Sequence, residues 1–227
     1  MSFAERFQQN FLDQNRWLDL LKGLGTTLEI TIVSVIIGIV LGFIIAIVKT
    51  TADSDKRFKP FAKICDLYLT VIRGTPVMVQ LLIMYYIIMA SSTNKVWVAM
   101  LTFGINSGAY VAEIVRSGIQ SIDKGQFEAG RSLGFSYVQT MYLIIVPQAI
   151  KNVLPALMNE LIVLLKETSV CGYIGLTDLT RAGDIIRSRT YEAFLPLIAV
   201  ALIYLVIVCG LQAVAKKVER RLNASER

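Results

Sequence analysis

The sequence predicts an all-α integral membrane protein, and three observations carry that expectation. Hydrophobic residues fill 55% of 227 positions, with a mean hydropathy of +0.59, more apolar surface than a soluble globule can bury. Charge-free runs of 19, 21 and 23 residues cover Ile30–Val48, Gly74–Asn94 and Ala193–Ala215. A hydrocarbon core about 30 Å thick takes about 20 helical residues to cross. Lys and Arg gather between and beyond these runs, as they do beside membrane spans. At this length one domain, or at most two, is expected, and the chain is read as a single transmembrane domain.

Five or six helical segments can be drawn. Met1–Leu21 mixes polar and charged residues with no apolar core run, so no secretory signal is expected and the first true span inserts itself. That span runs from about Leu28 to Val48 and carries Gly38-x-x-x-Gly42, a small-residue pair that admits a close neighbouring helix. A basic loop holding Lys49, Lys56, Arg57, Lys59 and Lys63 follows. In the second helical stretch Gly74-Thr75-Pro76 removes a backbone donor and invites a kink. The third span extends from Val96 to about Ile119. Ser132–Ile150 is free of charge but contains Gln139, Pro147 and Gln148, and is expected to be buried in protein without spanning. Val153–Leu165 is broken by Asn159-Glu160, and Ala193–Ala215 forms the last span.

Loop charge bears on orientation. With five spans and the N-terminus outside, inner loops and tail hold 14 Lys and Arg, Arg227 among them, and outer segments hold 7. Arg181, Arg187 and Arg189 run against the bias. Six spans would place both termini on one side, so charge favours five without excluding six.

The net charge of +6 is read as membrane topology and attraction to anionic lipid, and no nucleic-acid partner is expected. The chain has no His, and Cys65, Cys171 and Cys209 form no CxxC pair. Neither a metal site nor imidazole catalysis is expected. No GxxxxGK[ST] sequence occurs, so any ATP used would be bound by another chain. The sequence reads as a device for moving a solute, with no cofactor and no enzymatic activity of its own.

Ionisable side chains within a span default to functional hypotheses. Glu113 and Arg116 lie three apart on one helix face, where they either neutralise each other or face a cavity able to hold a zwitterion. Asn159 and Glu160 pose the same choice, with Lys151 and Lys166 more than a turn away. Arg73, at the start of a charge-free run, is expected to snorkel. Asn106 and Ser107 are further candidates for lining a pathway.

Glu128-Ala129-Gly130, Gly134 six residues after the Glu, and Ile144-Ile145-Val146-Pro147 resemble the Glu-Ala-Ala loop, E-A-A-x(3)-G-x(9)-I-x-L-P, of bacterial ABC importer permeases. Gly130 and Val146 depart from that pattern. Arg73-Gly74-Thr75-Pro76, Asn106 to Arg116, Pro147-Gln148-Ala149, Asn159-Glu160-Leu161-Ile162 and Lys166-Glu167-Thr168-Ser169 are similar to the permeases of polar amino-acid importers of the histidine, glutamine and arginine type. The similarity runs from about Gly23 to Val214. It implies five spans, N-terminus outside and C-terminus inside, in a bacterial inner membrane, with a cytoplasmic coupling helix between spans 3 and 4. It also implies two ATP-binding subunits, a second permease copy as homo- or heterodimer, and an extracytoplasmic solute-binding protein. Glu128, Ala129, Gly130 and Gly134 would then couple to the ATPase. The chain divides into an N-terminal segment (1–22), spans and loops (23–215) and a basic cytoplasmic tail (216–227). The expected function is the translocation pathway for a polar amino acid. An ion-coupled secondary transporter using Glu113 or Glu160 is the alternative, against which no internal repeat is visible.

Overall fold

The computed structural model describes residues 2–224, so Arg227 lies outside the described residues. Among these residues the regular structure is entirely helical. A short helix α1 (Phe3–Phe7) opens the chain with a capping box between Ser2 and Glu5. Next come α2 (Trp17–Ser54), α3 (Lys59–Arg73), α4 (Val77–Ile83), α5 (Lys95–Gln120), α6 (Lys124–Ser132), α7 (Tyr137–Thr140), α8 (Val146–Glu167), α9 (Leu179–Thr190) and α10 (Phe194–Ala224). Among the described residues four stretches are long and apolar enough to cross a membrane: Trp17–Asp53, Lys95–Gln120, Tyr137–Ile174 and Phe194–Leu222. The pair Lys56–Arg73 and Val77–Ile88, bent by 104°, makes a fifth if it counts as one broken span.

The helices overrun the expected spans. α2 begins at Trp17, well before Leu28, and α10 continues past Ala215 through the basic residues that follow. One expectation is corrected. The run from Ser132 to Ile150 is expected not to span, yet from Tyr137 it belongs to the stretch Tyr137–Ile174, long and apolar enough to cross a membrane, and within this chain Val138 and Tyr142 stay 73% and 74% exposed. The polar residues that argued against spanning are satisfied locally. Gln139 closes a capping box with Ser136, and Gln148 Nε2 donates to the Ile144 carbonyl at 2.8 Å. A π-type turn at Met141–Ile145 continues the helix into α8.

α2 and α5 form the spine, and small residues set their spacing. A Cβ on Gly38 would lie 2.8 Å from Ser107 Oγ, and one on Gly42 would lie 2.5 Å from Val111. In return, Gly104 receives Ile37 and Gly108 receives Leu41. The interlock of small and branched residues lets the two backbones approach closely, which is how helices associate where lipid offers no hydrophobic drive. Ser34 Oγ adds a hydrogen bond to the Met100 carbonyl at 3.0 Å. Phe103, Ile30, Leu81 and Leu164 fill the core beside this seam.

At one end of the bundle α9 packs on α2. Asp178 is fully buried and caps α9, accepting from the Thr180 and Arg181 amides. Thr27 Oγ1 accepts from the Leu179 amide at 3.1 Å, and Gly23 leaves room for the Asp178 carbonyl. Arg189 reaches Asp19 at 3.8 Å. Beside it, Asn10 donates to Glu192 at 2.7 Å and accepts from Thr190 at 2.8 Å, tying the N-terminal segment to the α9–α10 turn.

Two outcomes are expected. Gly42→Leu forces α2 off α5 and lowers the melting temperature of the purified protein by several degrees, as overpacking of about 1–3 kcal/mol does. Burial pushes the Asp178 carboxyl above its usual range, so the folded chain holds its proton more tightly than the unfolded chain. The stability present below the unfolded pKa is then lost as pH rises through the raised folded value. Asp178→Asn keeps an N-cap acceptor and removes the buried charge, so its melting temperature at neutral pH equals or exceeds that of the parent and its pH dependence is flatter. Asp178→Ala loses the cap, worth about 1 kcal/mol.

Candidate functional site

The break at Gly74-Thr75-Pro76 creates the site. Pro76 has no amide hydrogen, and the turn leaves carbonyls that hydrocarbon cannot solvate. Gln80 Nε2 lies 2.8 Å from the Ile72 carbonyl and 3.0 Å from that of Thr75, satisfying both sides of the bend. Its Oε1 accepts from Asn106 Nδ2 at 2.9 Å. Thr75 Oγ1 donates to the Val71 carbonyl at 2.8 Å. Tyr68 Oη donates to the Ile105 carbonyl, fixing α3 to α5 before the bend. The corner thereby presents Arg73 to the side of α5.

There Arg73 Nη1 meets Glu113 Oε2 at 3.4 Å, both side chains about two-fifths exposed, and the guanidinium lies 5.9 Å from the Tyr110 ring centroid. The pair opens onto a cavity of about 400 Å³. Ser117 and Ser121 line it from α5 and the turn beyond, and Asn152, Ala156 and Glu160 line it from α8. Ser107 Oγ donates to Glu160 Oε1 at 2.8 Å, and Asn152 Nδ2 donates to Ser121 Oγ at 2.8 Å. The cavity thus holds two carboxylates, one guanidinium and several neutral polar groups, a surface suited to a small charged solute. Among the described residues no cluster of His, Cys, Asp and Glu could hold a metal ion.

The six pathway candidates separate. Glu113 and Glu160 line the cavity. Asn106 and Ser107 are 2% and 0% exposed and stand behind it, one holding Gln80 and the other Glu160. Arg116 is outside the lining and its buried Nε has no hydrogen-bond partner; Glu113 turns instead to Arg73. Asn159 is exposed away from the cavity. Arg73 does not stand alone as a snorkelling cation, and Arg73, Tyr110 and Asn152 were missed. The available signal was a cation placed directly before a helix breaker and 40 residues ahead of a lone Glu.

The second constellation follows the C-terminal end of α5, just beyond the cavity. Asp123 caps α6, accepting from the Gly125 amide at 2.6 Å. Glu128, Ala129 and Gly130 follow on that helix, and Gly134 turns the chain at φ +81°, a conformation in which a Cβ is strained. Ser136 starts α7, and Phe127 stacks on Tyr137 with centroids 6.4 Å apart. Lys124, Phe127, Glu128, Arg131, Tyr137 and Thr140 border an open cleft of about 300 Å³. Gly130 packs against Thr140, whose methyl and hydroxyl would both lie 2.6 Å from an added Cβ. Thr140 therefore explains Gly where the resemblance has Ala.

A bundle whose broken span delivers charged groups to a lateral cavity, with a short surface helix beside a tight turn, is a multi-pass permease. Residues 38–224 match the family described as binding-protein-dependent transport system inner membrane component, and the chain belongs to that family. The arginine transport system permease protein of Bacillus subtilis is 41% identical over 91% of this chain and 94% of its own length. The L-cystine transport system permease protein of the same organism is 34% identical over 94% and 91%. A crystal structure of an amino acid ABC transporter with histidines superposes with a TM-score of 0.84 at 43% identity, covering 93% of this chain and 98% of that one. The protein is thus a permease subunit of an ABC importer in the inner membrane. ATP hydrolysis belongs to separate subunits, and the permease is not an enzyme.

Gly130→Ala, though closer to the Glu-Ala-Ala pattern, is expected to displace α6 from α7 and lower the ATPase rate of the assembled transporter severalfold. Adding Thr140→Ala restores most of it, which ATPase assays of the single and double variants measure.

Proposed function

We propose that this chain forms the translocation pathway for an amino acid with a cationic side chain, of the arginine, lysine or histidine kind. The cavity carries the reading: Arg73 suits the α-carboxylate, Glu113 the α-ammonium, and Glu160, held by Ser107, the side-chain cation. Charge-assisted hydrogen bonds of this sort discriminate because Glu160 is left without a cationic partner when a neutral side chain enters. The arginine and histidine named for two relatives support the same class.

The chain acts as one transmembrane unit, with its N-terminus outside and the end bearing α6 in the cytoplasm. Two ATP-binding subunits serve the assembled importer, and one of them grips α6 of this chain through Glu128, Ala129, Gly130 and the turn at Gly134. A second permease copy completes the pathway, and an extracytoplasmic solute-binding protein delivers the amino acid to the end bearing α9. Nucleotide-driven closure favours the state in which the subunits hold α6 more tightly, since only differential contact shifts such an equilibrium.

The test is reconstitution in liposomes with the ATP-binding subunits and the binding protein, following labelled amino acids. Uptake of a cationic amino acid that needs all three components is expected. Uptake by the chain alone, driven by an ion gradient, would overturn the reading. Glu160→Gln retains an acceptor for Ser107 and removes the charge, so cationic uptake falls about 10- to 100-fold, the worth of about 1.5–3 kcal/mol. Equal uptake by the parent and Glu160→Gln would remove Glu160 from the site.

A further inference from the structure

Gln148, Asn152 and Glu160 follow one another along α8 at multiples of four residues, the spacing that keeps side chains on neighbouring turns of one helix face. Glu160 and Asn152 line the solute cavity, whereas Gln148 lies beyond its lining and turns to α6. Gly118 lets α8 lie close on α5: a Cβ there would be 2.3 Å from Val153 and 3.5 Å from the Ala149 carbonyl. Beside that contact Asn152 Nδ2 donates to Ser121 Oγ at 2.8 Å, and Ser121 Oγ donates in turn to the Gly118 carbonyl at 2.7 Å. One turn earlier on α8, Gln148 Nε2 lies 3.5 Å from Gln126 Oε1 on α6.

The place where these bonds land gives them a role. Ser121 is the C-cap of α5 and Asp123 the N-cap of α6, so Ile122 alone separates the two caps. A linker of one residue leaves little slack, and displacing Ser121 displaces the start of α6. Ser121 and Asn152 are at the same time walls of the cavity. Their hydrogen bond thus joins the surface that meets the solute to the helix that an ATP-binding subunit grips. Along the chain α8 reaches α6 by a longer route, through the π-type turn at Met141–Ile145, α7 and the turn at Gly134. We infer that Asn152 is a positioning residue for transport: it holds Ser121, and through it the start of α6, against the cavity wall, so that filling the cavity alters the grip of the ATP-binding subunit. The inference rests on the reading of the cavity as the solute site and not on which amino acid fills it. Such a bond couples the two places by as much as it differs between the filled and the unfilled cavity.

The experiment uses the transporter assembled in liposomes with its ATP-binding subunits and a binding protein loaded with labelled arginine, and reads arginine carried per ATP hydrolysed. Asn152→Ala and Ser121→Ala are each expected to lower that ratio about two- to tenfold, the worth of one hydrogen bond. The double variant falls no further than either single one, since both remove the same bond. Ser121→Thr keeps the hydroxyl and the parental ratio. Gln148→Leu, outside the cavity, lowers the ratio and leaves the KM for arginine unchanged. Losses that multiply in the double variant, or raised KM values with an unchanged ratio, overturn the inference, because Asn152 and Ser121 then act only as walls that touch the solute. Glu160→Gln in the same vesicles keeps this failure apart from failure of the cavity reading. Arginine uptake equal to the parent's removes the cavity as the solute site even where the Asn152–Ser121 pair is non-additive. A large loss in Glu160→Gln beside independent effects at Asn152 and Ser121 sinks the link alone.

Discussion

Everything at the polar cavity depends on how one break in a membrane helix is satisfied. Hydrocarbon gives no partner to a free carbonyl, so the corner at Gly74-Thr75-Pro76 persists only because Gln80 reaches back to the Ile72 and Thr75 carbonyls. Asn106 holds Gln80 from α5. The corner in turn places Arg73 opposite Glu113. A side chain about one turn beyond the break thus determines where a guanidinium sits before it, and the bent span becomes part of the site.

The two halves of the cavity rest on unlike supports. α5 is locked to α2 by interleaved small and branched side chains, so Glu113 and Tyr110 ride on the most closely packed pair of helices in the molecule. Glu160 and Asn152 ride on α8, which contains Pro155 and follows a π-type turn, and whose outward face is largely uncovered. One wall is fixed to the spine and the other to a helix with built-in irregularities. The α8 wall leads directly back through α7 to α6.

Much of the architecture was legible in the sequence because membrane insertion leaves a coarse signature: the number of apolar stretches, the break at Pro76 and the turn at Gly134 all follow from local chemistry. Ser132–Ile150 was misread because Gln139 and Gln148 look expensive in lipid until their partners, the Ser136 amide and the Ile144 carbonyl, are seen. Within the site, Glu113 and Glu160 were visible as charges at membrane depth. Asn106 and Ser107 were visible too, but sequence could not separate a residue facing the cavity from one standing behind it. Arg73 was assigned to snorkelling because its partner comes from another helix, and only the 104° bend brings the two together. Periodicity reports faces of a single helix and is silent about which faces meet.

The length of α2 has a mechanical consequence. Its 38 residues extend about 57 Å at 1.5 Å per residue, nearly twice the hydrocarbon thickness. Its first turns are pinned to α9 through Asp19, Gly23 and Thr27, and its last turns wall an apolar groove beside α7. The helix is a strut joined at both ends to parts of the molecule on opposite sides of the bilayer. A small tilt of that strut in a thinner or thicker membrane displaces both joints at once, so bilayer thickness itself becomes an input to the transporter.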